Sequence, residues 1–295
     1  MAPAPVPGGR APLASRAESS PLDMDRISFR VRGIECVGAD QGAGDPLLLI
    51  HGWGGGASNW RRVWPVLATR YRCLAPDLPG WGDSEKPSVP YTFEWYADWL
   101  ADLLEARSAS PAHVAAHSMG ATIALVFALR HPGRVRKLAI LNPIVRGSDG
   151  VKKETRLLMA PGVRHLAYLF MRRRGFLRFI GRNFTEAPEG IDDETLMLLS
   201  KGSFASMTRT LKALRAVDLA ESLKSIAAPA LVIGSDADRE IPPEQSALAA
   251  KIPGSRLEML KGAGHVSPLE RPEEVGSLLV DFFGPGSRRD RPPQW

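Results

Sequence analysis

The stretch VAAHSMGAT, residues 114–122, joins two apolar runs through a single serine: AHVAAH at 112–117 and MGATIALVFALR at 119–130. The first run is short and continuous, the pattern of a strand buried on both faces. The second is long enough for a buried helix and is closed by His131 and Pro132. A strand delivered directly into a helix is the repeating unit of a doubly wound α/β sheet. Ser118 lies on the turn between them, and Ala116 and Gly120 are small, as close approach of strand and helix at such a turn requires. Two readings of Ser118 follow. It caps the helix, as serine commonly does, or it is a nucleophile, with the Met119 backbone N–H at the helix N-terminus aimed where an oxyanion would form.

The same alternation extends outward in both directions. Residues 27–37 read as a strand broken by a glycine turn, and 46–50 as a short buried strand running into the turn HGWGGG. A helical pattern over 58–67, the strand YRCLAP, the loop DLPGWGDSEKP and a helix over 92–104 follow. Beyond the opening stretch come the strand VRKLAILNP, and then, after Pro229, the strand ALVIGS, a helix over 243–251, the strand RLEML, the loop KGAGHVSP and a helix over 270–283. The expected fold class is α/β, a doubly wound, mostly parallel sheet formed by 25–142 and 229–284. Between them, 143–228 is helical and basic without a good strand, and reads as an insertion. The tails 1–24 and 285–295, rich in Pro, Gly and polar residues, read as disordered.

Composition narrows the classes. Of 295 residues, 44% are hydrophobic and 24% charged, which suits a folded globular chain. No apolar run approaches the roughly 20 residues of a membrane span, and the N-terminus lacks the apolar segment of a secretory signal, so a soluble cytoplasmic protein is expected. Cys36 and Cys73 sit in strand-like runs without motif spacing and read as buried free thiols. The net charge of +6 is regional: between Arg146 and Arg182 ten Lys and Arg stand against only Asp149 and Glu154. Such a segment presents a solvated face, meets an anionic substrate, or touches a membrane surface. A small-molecule substrate is the expected partner, and nucleic acid is not; oligomeric state is not encoded legibly.

A serine hydroxyl is a weak nucleophile at neutral pH and needs a histidine base and an orienting acid from neighbouring loops. His265 lies in the glycine-rich loop after the last strand, from which its ring can project at the carboxyl edge. His51 and His117 stand against strand ends and read as structural hydrogen-bonding groups. His113, His131 and His165 have surface or helix-end contexts. The acid is expected from the loop after the preceding strand, SDADREIP, which offers Asp236 and Asp238. Either gives the chain order serine, acid, histidine.

With these residues assembled, the chain resembles the α/β-hydrolase family over about residues 27–283. HGWGGG (51–56) is similar to the family's His-Gly oxyanion loop, which implies the Trp53 backbone N–H as the second oxyanion donor beside that of Met119. DLPGWGDS (77–84) is similar to its D-x-x-G-x-G-x-S signature, in which Asp77, Gly80, Gly82 and Ser84 shape a loop. GHVSPLERPEE (264–274) is similar to its catalytic histidine motif. The first glycine of the usual G-x-S-x-G elbow is Ala116 here. Family spacing from the acid to the following Ile-Pro favours Asp238, whereas counting from Gly234 points nearer Asp236 or Ala237.

The resemblance further implies that 143–228 is a helical cap, that Trp53, Trp81 and Met119 line an apolar substrate pocket, and that Ser118, Asp238 and His265 form a triad needing no cofactor or metal. The implied activity is that of a serine esterase acting on a small, largely apolar substrate. A carbon–carbon bond hydrolase, an amidase or aminopeptidase, or a perhydrolase on the same triad are the enzymatic alternatives. A non-catalytic small-molecule receptor or scaffold is the alternative from another class.

Overall fold

The computed structural model describes residues 24–150, 162–170, 172, 173, 175–177 and 193–284. The expected tails, Met24 apart, fall outside the described residues, as do the parts of the insertion at 151–161 and 178–192. Met24, assigned to the tail from sequence, packs against the core.

Strands β1 (Ile27–Val31) and β2 (Ile34–Gln41) form a hairpin closed by Arg32 and Gly33, both at positive φ (53° and 78°), the geometry a two-residue hairpin turn demands. The alternation continues through β3 (Pro46–Ile50), α1 (Trp64–Ala68), β4 (Arg72–Pro76), α2 (Phe93–Ala106), β5 (Ala112–His117), α3 (Met119–Arg130) and β6 (Val135–Leu141). It resumes with β7 (Ala230–Ser235) and β8 (Arg256–Leu260). The sheet order is β1-β2-β4-β3-β5-β6-β7-β8. The β1–β2 and β2–β4 pairs are antiparallel, and every pair from β4 to β8 is parallel. The expected doubly wound sheet is present.

The strands are apolar on both faces because both are covered. In β3, Leu48 and Ile50 face a core shared with α2 and α3, while Leu47 and Leu49 face a second core built with Trp60, Trp64, Leu67, Leu279 and Phe282. That two-sided burial is why the parallel strands read as continuous apolar runs rather than alternating ones.

Three sequence expectations are corrected. The helix expected over 58–67 is a 3-10 turn, Ala57–Trp60, followed by the separate α1. Pro65 has no N–H and is tolerated only in a first helical turn, so it starts a helix there instead of continuing one. β2 continues past Val37 to Gln41. His113, given a surface or helix-end context from sequence, is buried on β5 with its ring 5.0 Å from Phe283 and 6.1 Å from Tyr71. Burial pushes its pKa down to about 4. Cys36 and Cys73 are buried and free, as expected.

Between β6 and β7 the described residues are helical: α4 (Gly147–Gly150), α5 (Val163–Phe170), α6 (Asp193–Lys201) and α7 (Phe204–Ala216). An isolated bridge between Arg146 and Asp218 draws the two ends of the segment together. The helices seat on the loops after β3 and β4. Ser203 N and Ser206 Oγ both donate to Gly80 O (3.0 and 2.8 Å), Lys201 pairs with Asp83 (2.7 Å), and Arg61 donates to Thr195 Oγ1 (3.0 Å). Leu199 lies over Gly54, where an added Cβ would come within 2.2 Å of its Cδ2.

Candidate active site

The turn from β5 to α3 holds Ser118 at φ 55° and ψ −122°, a conformation rarely adopted outside glycine. The neighbours enforce it. Ser118 N–H donates to Leu141 O (2.8 Å), and its carbonyl accepts from Thr122 N (3.1 Å). A Cβ on Gly120 would stand 2.4 Å from His51 O and 2.7 Å from Ile50 O, so only glycine lets α3 start this close to β3. Ser118 occupies the N-cap position, yet its side chain makes no capping hydrogen bond. Its Oγ lies 2.9 Å from His265 Nε2 instead.

His265 stands on the loop after β8, which the side chains of Glu270 and His117 hold in place. The Glu270 carboxylate, at the end of the short helix α8 (Ser267–Glu270) that precedes α9 (Pro272–Phe283), accepts from Gly264 N (2.8 Å) and Val266 N (2.9 Å). His117 Nε2–H donates to the His265 carbonyl (2.7 Å). Burial, with the neighbouring His265 charge, pushes the His117 pKa down to about 3, so this ring stays neutral and serves as a brace. His51 is a second neutral brace: burial lowers its pKa, its Nδ1 bonds Gly52 O (2.8 Å), and its Nε2 accepts from Leu78 N (2.9 Å). Both act as the sequence suggested.

Of the two carboxylates offered by the loop after β7, Asp238 meets the histidine. Its Oδ2 lies 2.7 Å from His265 Nδ1, and its Oδ1 accepts from Glu240 N (2.7 Å) and Ile241 N (2.9 Å). Asp236 turns away and accepts from Gly262 N (2.7 Å), tying the β7 loop to the β8 loop. Asn142, which sequence reasoning passed over, completes the group by donating Nδ2 to Asp238 Oδ2 (3.0 Å).

The electrostatics follow the geometry. Burial opposes ionisation of Asp238, but the His265 charge and hydrogen bond and the two backbone N–H groups outweigh it and hold its pKa below the usual carboxylate value. Burial likewise disfavours the His265 imidazolium, and the Asp238 carboxylate overcomes this and raises its pKa. A carboxylate on Nδ1 fixes the Nδ1–H tautomer and leaves Nε2 to accept the Ser118 proton. A hydroxyl, a neutral base and a buried carboxylate in line can support nucleophilic acyl transfer.

Trp53 and Met119, the expected oxyanion donors, flank this line: Met119 begins α3, and Trp53 follows Gly52, where a Cβ would approach Ser118 Cβ to 3.0 Å. The pocket expectation needs correction. Trp81 and Met119 are fully buried. Trp81 donates Nε1–H to Tyr96 Oη (3.0 Å) and packs edge-to-face on Trp53, ring centroids 5.5 Å apart. Of the three, only half-buried Trp53 faces open space; its Nε1–H reaches Met207 O on α7 at 3.4 Å.

Comparison with known proteins supplies context for this arrangement. A family model described as "Alpha/beta hydrolase family" matches residues 47–278. The chain is 32% identical over 263 residues to a 2-hydroxymuconate semialdehyde hydrolase of Pseudomonas sp. (strain CF600), covering 83% of this chain and 88% of that protein. Among solved structures it is similar to a membrane phospholipase A (TM-score 0.78, 25% identity, 89% of this chain and 86% of that one). It is also similar to a thermophilic esterase from Thermogutta terrifontis (TM-score 0.74, 25% identity, 88% and 98%).

Proposed function

The chain belongs to the alpha/beta hydrolase family and is an enzyme; on that premise we propose that it is a serine hydrolase cleaving an ester-like bond of a small, largely apolar substrate. The observation that carries the reading is the unbroken line Asp238 Oδ2, His265 Nδ1, His265 Nε2, Ser118 Oγ at 2.7 and 2.9 Å, anchored on a strained serine. His265 Nε2 takes the Ser118 proton as Oγ attacks the substrate carbonyl, and the backbone N–H groups of Trp53 and Met119 receive the developing oxyanion. The imidazolium then protonates the departing alkoxide, leaving an acyl-enzyme on Ser118. Water, deprotonated by His265, attacks the acyl carbon, and Ser118 leaves with the proton returned by His265. Asp238 stays ionised throughout and stabilises the transient imidazolium.

The test is intact-mass labelling with a fluorophosphonate, followed by hydrolysis of a p-nitrophenyl ester series. One adduct that disappears in Ser118→Ala and in His265→Ala supports the reading. No adduct on folded wild-type protein overturns it. A second reading, hydrolysis of a carbon–carbon bond beside a carbonyl, is favoured by the 32% identity to the semialdehyde hydrolase over most of both chains. Turnover of 2-hydroxymuconate semialdehyde well above that of every ester in the series would select it.

A further inference from the structure

The outer face of α5 is turned away from the aromatic cluster that seats the helix on α7; on it the Phe170 ring meets Phe176, centroids 5.6 Å apart. Among the described residues, α5 packs on α7 through the Phe204 ring. The His165 ring stacks on Phe204 with centroids 4.4 Å apart, Tyr168 meets Phe204 edge-on at 5.4 Å, and the Arg164 guanidinium lies 5.8 Å above the same ring. At 100° per residue, 164, 165 and 168 share the Phe204 side, whereas 163, 166, 169 and 170 fall together on the adjoining arc that runs round to the far side. Those four residues are Val163, Leu166, Leu169 and Phe170, exposed by 40, 56, 59 and 48%. A contiguous stripe of two leucines, a valine and a phenylalanine facing water is a feature that soluble surfaces avoid unless something binds there.

Charge indicates what binds. Arg172 and Arg173 are exposed just past the C-terminal end of the stripe, and Arg172 is held there by its bond to Tyr168 Oη (2.9 Å) and by its position 5.6 Å over the Tyr168 ring. The segment from Arg146 to Arg182 carries ten basic side chains against two acidic ones. A water-exposed apolar stripe on a short helix, bordered by arginines in an acid-poor segment, has the chemistry of an interfacial helix. Its apolar face enters the acyl boundary while the guanidinium groups meet lipid phosphates. Nucleic acid matches the arginines and leaves the leucines in water; a second copy of this chain matches the leucines and brings the same positive charge.

We propose that α5 docks this enzyme on the surface of an anionic lipid bilayer through Val163, Leu166, Leu169 and Phe170, with Arg172 and Arg173 on the headgroups. α7, which supports α5 through Phe204, also contributes the Met207 carbonyl that receives Trp53 Nε1–H. The docked face and the loop beside Ser118 therefore share one supporting helix. The docking does not depend on which bond the active site cleaves.

The test is co-sedimentation of the full chain, as Ser118→Ala so that turnover plays no part, with vesicles of phosphatidylcholine alone or with about one-third phosphatidylglycerol. Binding to the anionic vesicles is expected to exceed binding to neutral ones severalfold and to weaken at 0.5 M salt. Leu166→Asn with Leu169→Asn is expected to reduce the partition coefficient tenfold or more, and Arg172→Glu with Arg173→Glu to remove the preference for anionic lipid. Unchanged melting temperatures establish that both variants fold, since all four side chains lie outside the core. No binding of wild type to the anionic vesicles, or equal binding by the Leu166→Asn, Leu169→Asn variant, overturns the proposal. So does a concentration-dependent dimer that the leucine substitutions abolish, or salt-sensitive binding to duplex DNA that they leave intact.

Discussion

Asn142 and His265 meet on one atom: Asn142 Nδ2 at 3.0 Å and His265 Nδ1 at 2.7 Å both approach Asp238 Oδ2. Asn142 terminates β6 at φ 47°, a left-handed conformation that asparagine adopts more readily than most residues. Its amide is oriented by Ser267 Oγ, which donates to Oδ1 (3.0 Å), so Nδ2 is the group that faces the carboxylate. The amide hydrogen bond withdraws charge from the oxygen that attracts the His265 imidazolium. Asn142→Ala is expected to lower kcat about tenfold, the equivalent of one hydrogen bond to a charged group at roughly 1.5 kcal/mol. It is also expected to move the acid limb of the pH–rate profile upward, because a more basic Asp238 binds the His265 proton more strongly. A purely structural role for Asn142 would lower stability and leave the pH profile in place.

The two aspartates of the β7 loop separate by function. Asp238→Asn removes the acceptor that fixes the His265 tautomer and is expected to cost about ten-thousandfold in kcat. Asp236→Asn weakens only the bond from Gly262 N, with an expected loss of about 1 kcal/mol in stability and little change in kcat. Steady-state kinetics alongside urea unfolding of both variants checks this; equal loss of activity in the two would contradict the geometry.

The histidines pull the pH dependence in opposite directions. His265 has a raised pKa, so the neutral base, and with it activity, appears only above the usual histidine value of 6.5. Its contribution to stability is complete below 6.5 and fades as pH rises through the raised value. His113 has its pKa lowered to about 4, so between pH 6.5 and about 4 the unfolded chain binds a proton that the folded chain refuses. Stability therefore falls as the pH is lowered from 6.5 to about 4. His113→Phe keeps the ring contacts with Tyr71 and Phe283 and is expected to make the fall shallower, the remainder coming from the buried neutral His117 and His51. Melting temperatures at pH 7, 5.5 and 4.5 for the two proteins measure it.

What the sequence revealed tracks how local each signal is. The elbow at Ser118, the His265 loop and the two-sided apolar strands each lie within a dozen residues, and each was legible. Asp238 was favoured over Asp236 by family spacing alone, because the physical choice is made by Gly262 N on one side and His265 on the other, contacts spanning 26 and 27 residues. Asn142 was passed over because its partner is 96 residues away and an amide at a strand end carries no motif. The Trp81 pocket assignment failed because a tryptophan in a glycine-rich loop reads the same whether it lines a cavity or fills one.

Strain at the elbow gives the last expectation. Ser118 is held at φ 55° by a backbone that suits glycine, at a cost of order 1–3 kcal/mol. Ser118→Gly is therefore expected to abolish fluorophosphonate labelling while the folded state gains about 1 kcal/mol, the relief of strain exceeding the entropy that glycine adds to the unfolded chain. Gly120→Ala works the other way. Its Cβ would press on His51 O and Ile50 O, both backbone atoms that cannot swing aside, at an expected cost of about 1–3 kcal/mol and with a displaced Ser118. Urea unfolding should rank the proteins Ser118→Gly, wild type, Gly120→Ala in decreasing stability. A Ser118→Gly protein less stable than wild type would mean that the turn is relaxed and that the Ser118 side chain contributes packing or hydrogen bonding worth more than the strain.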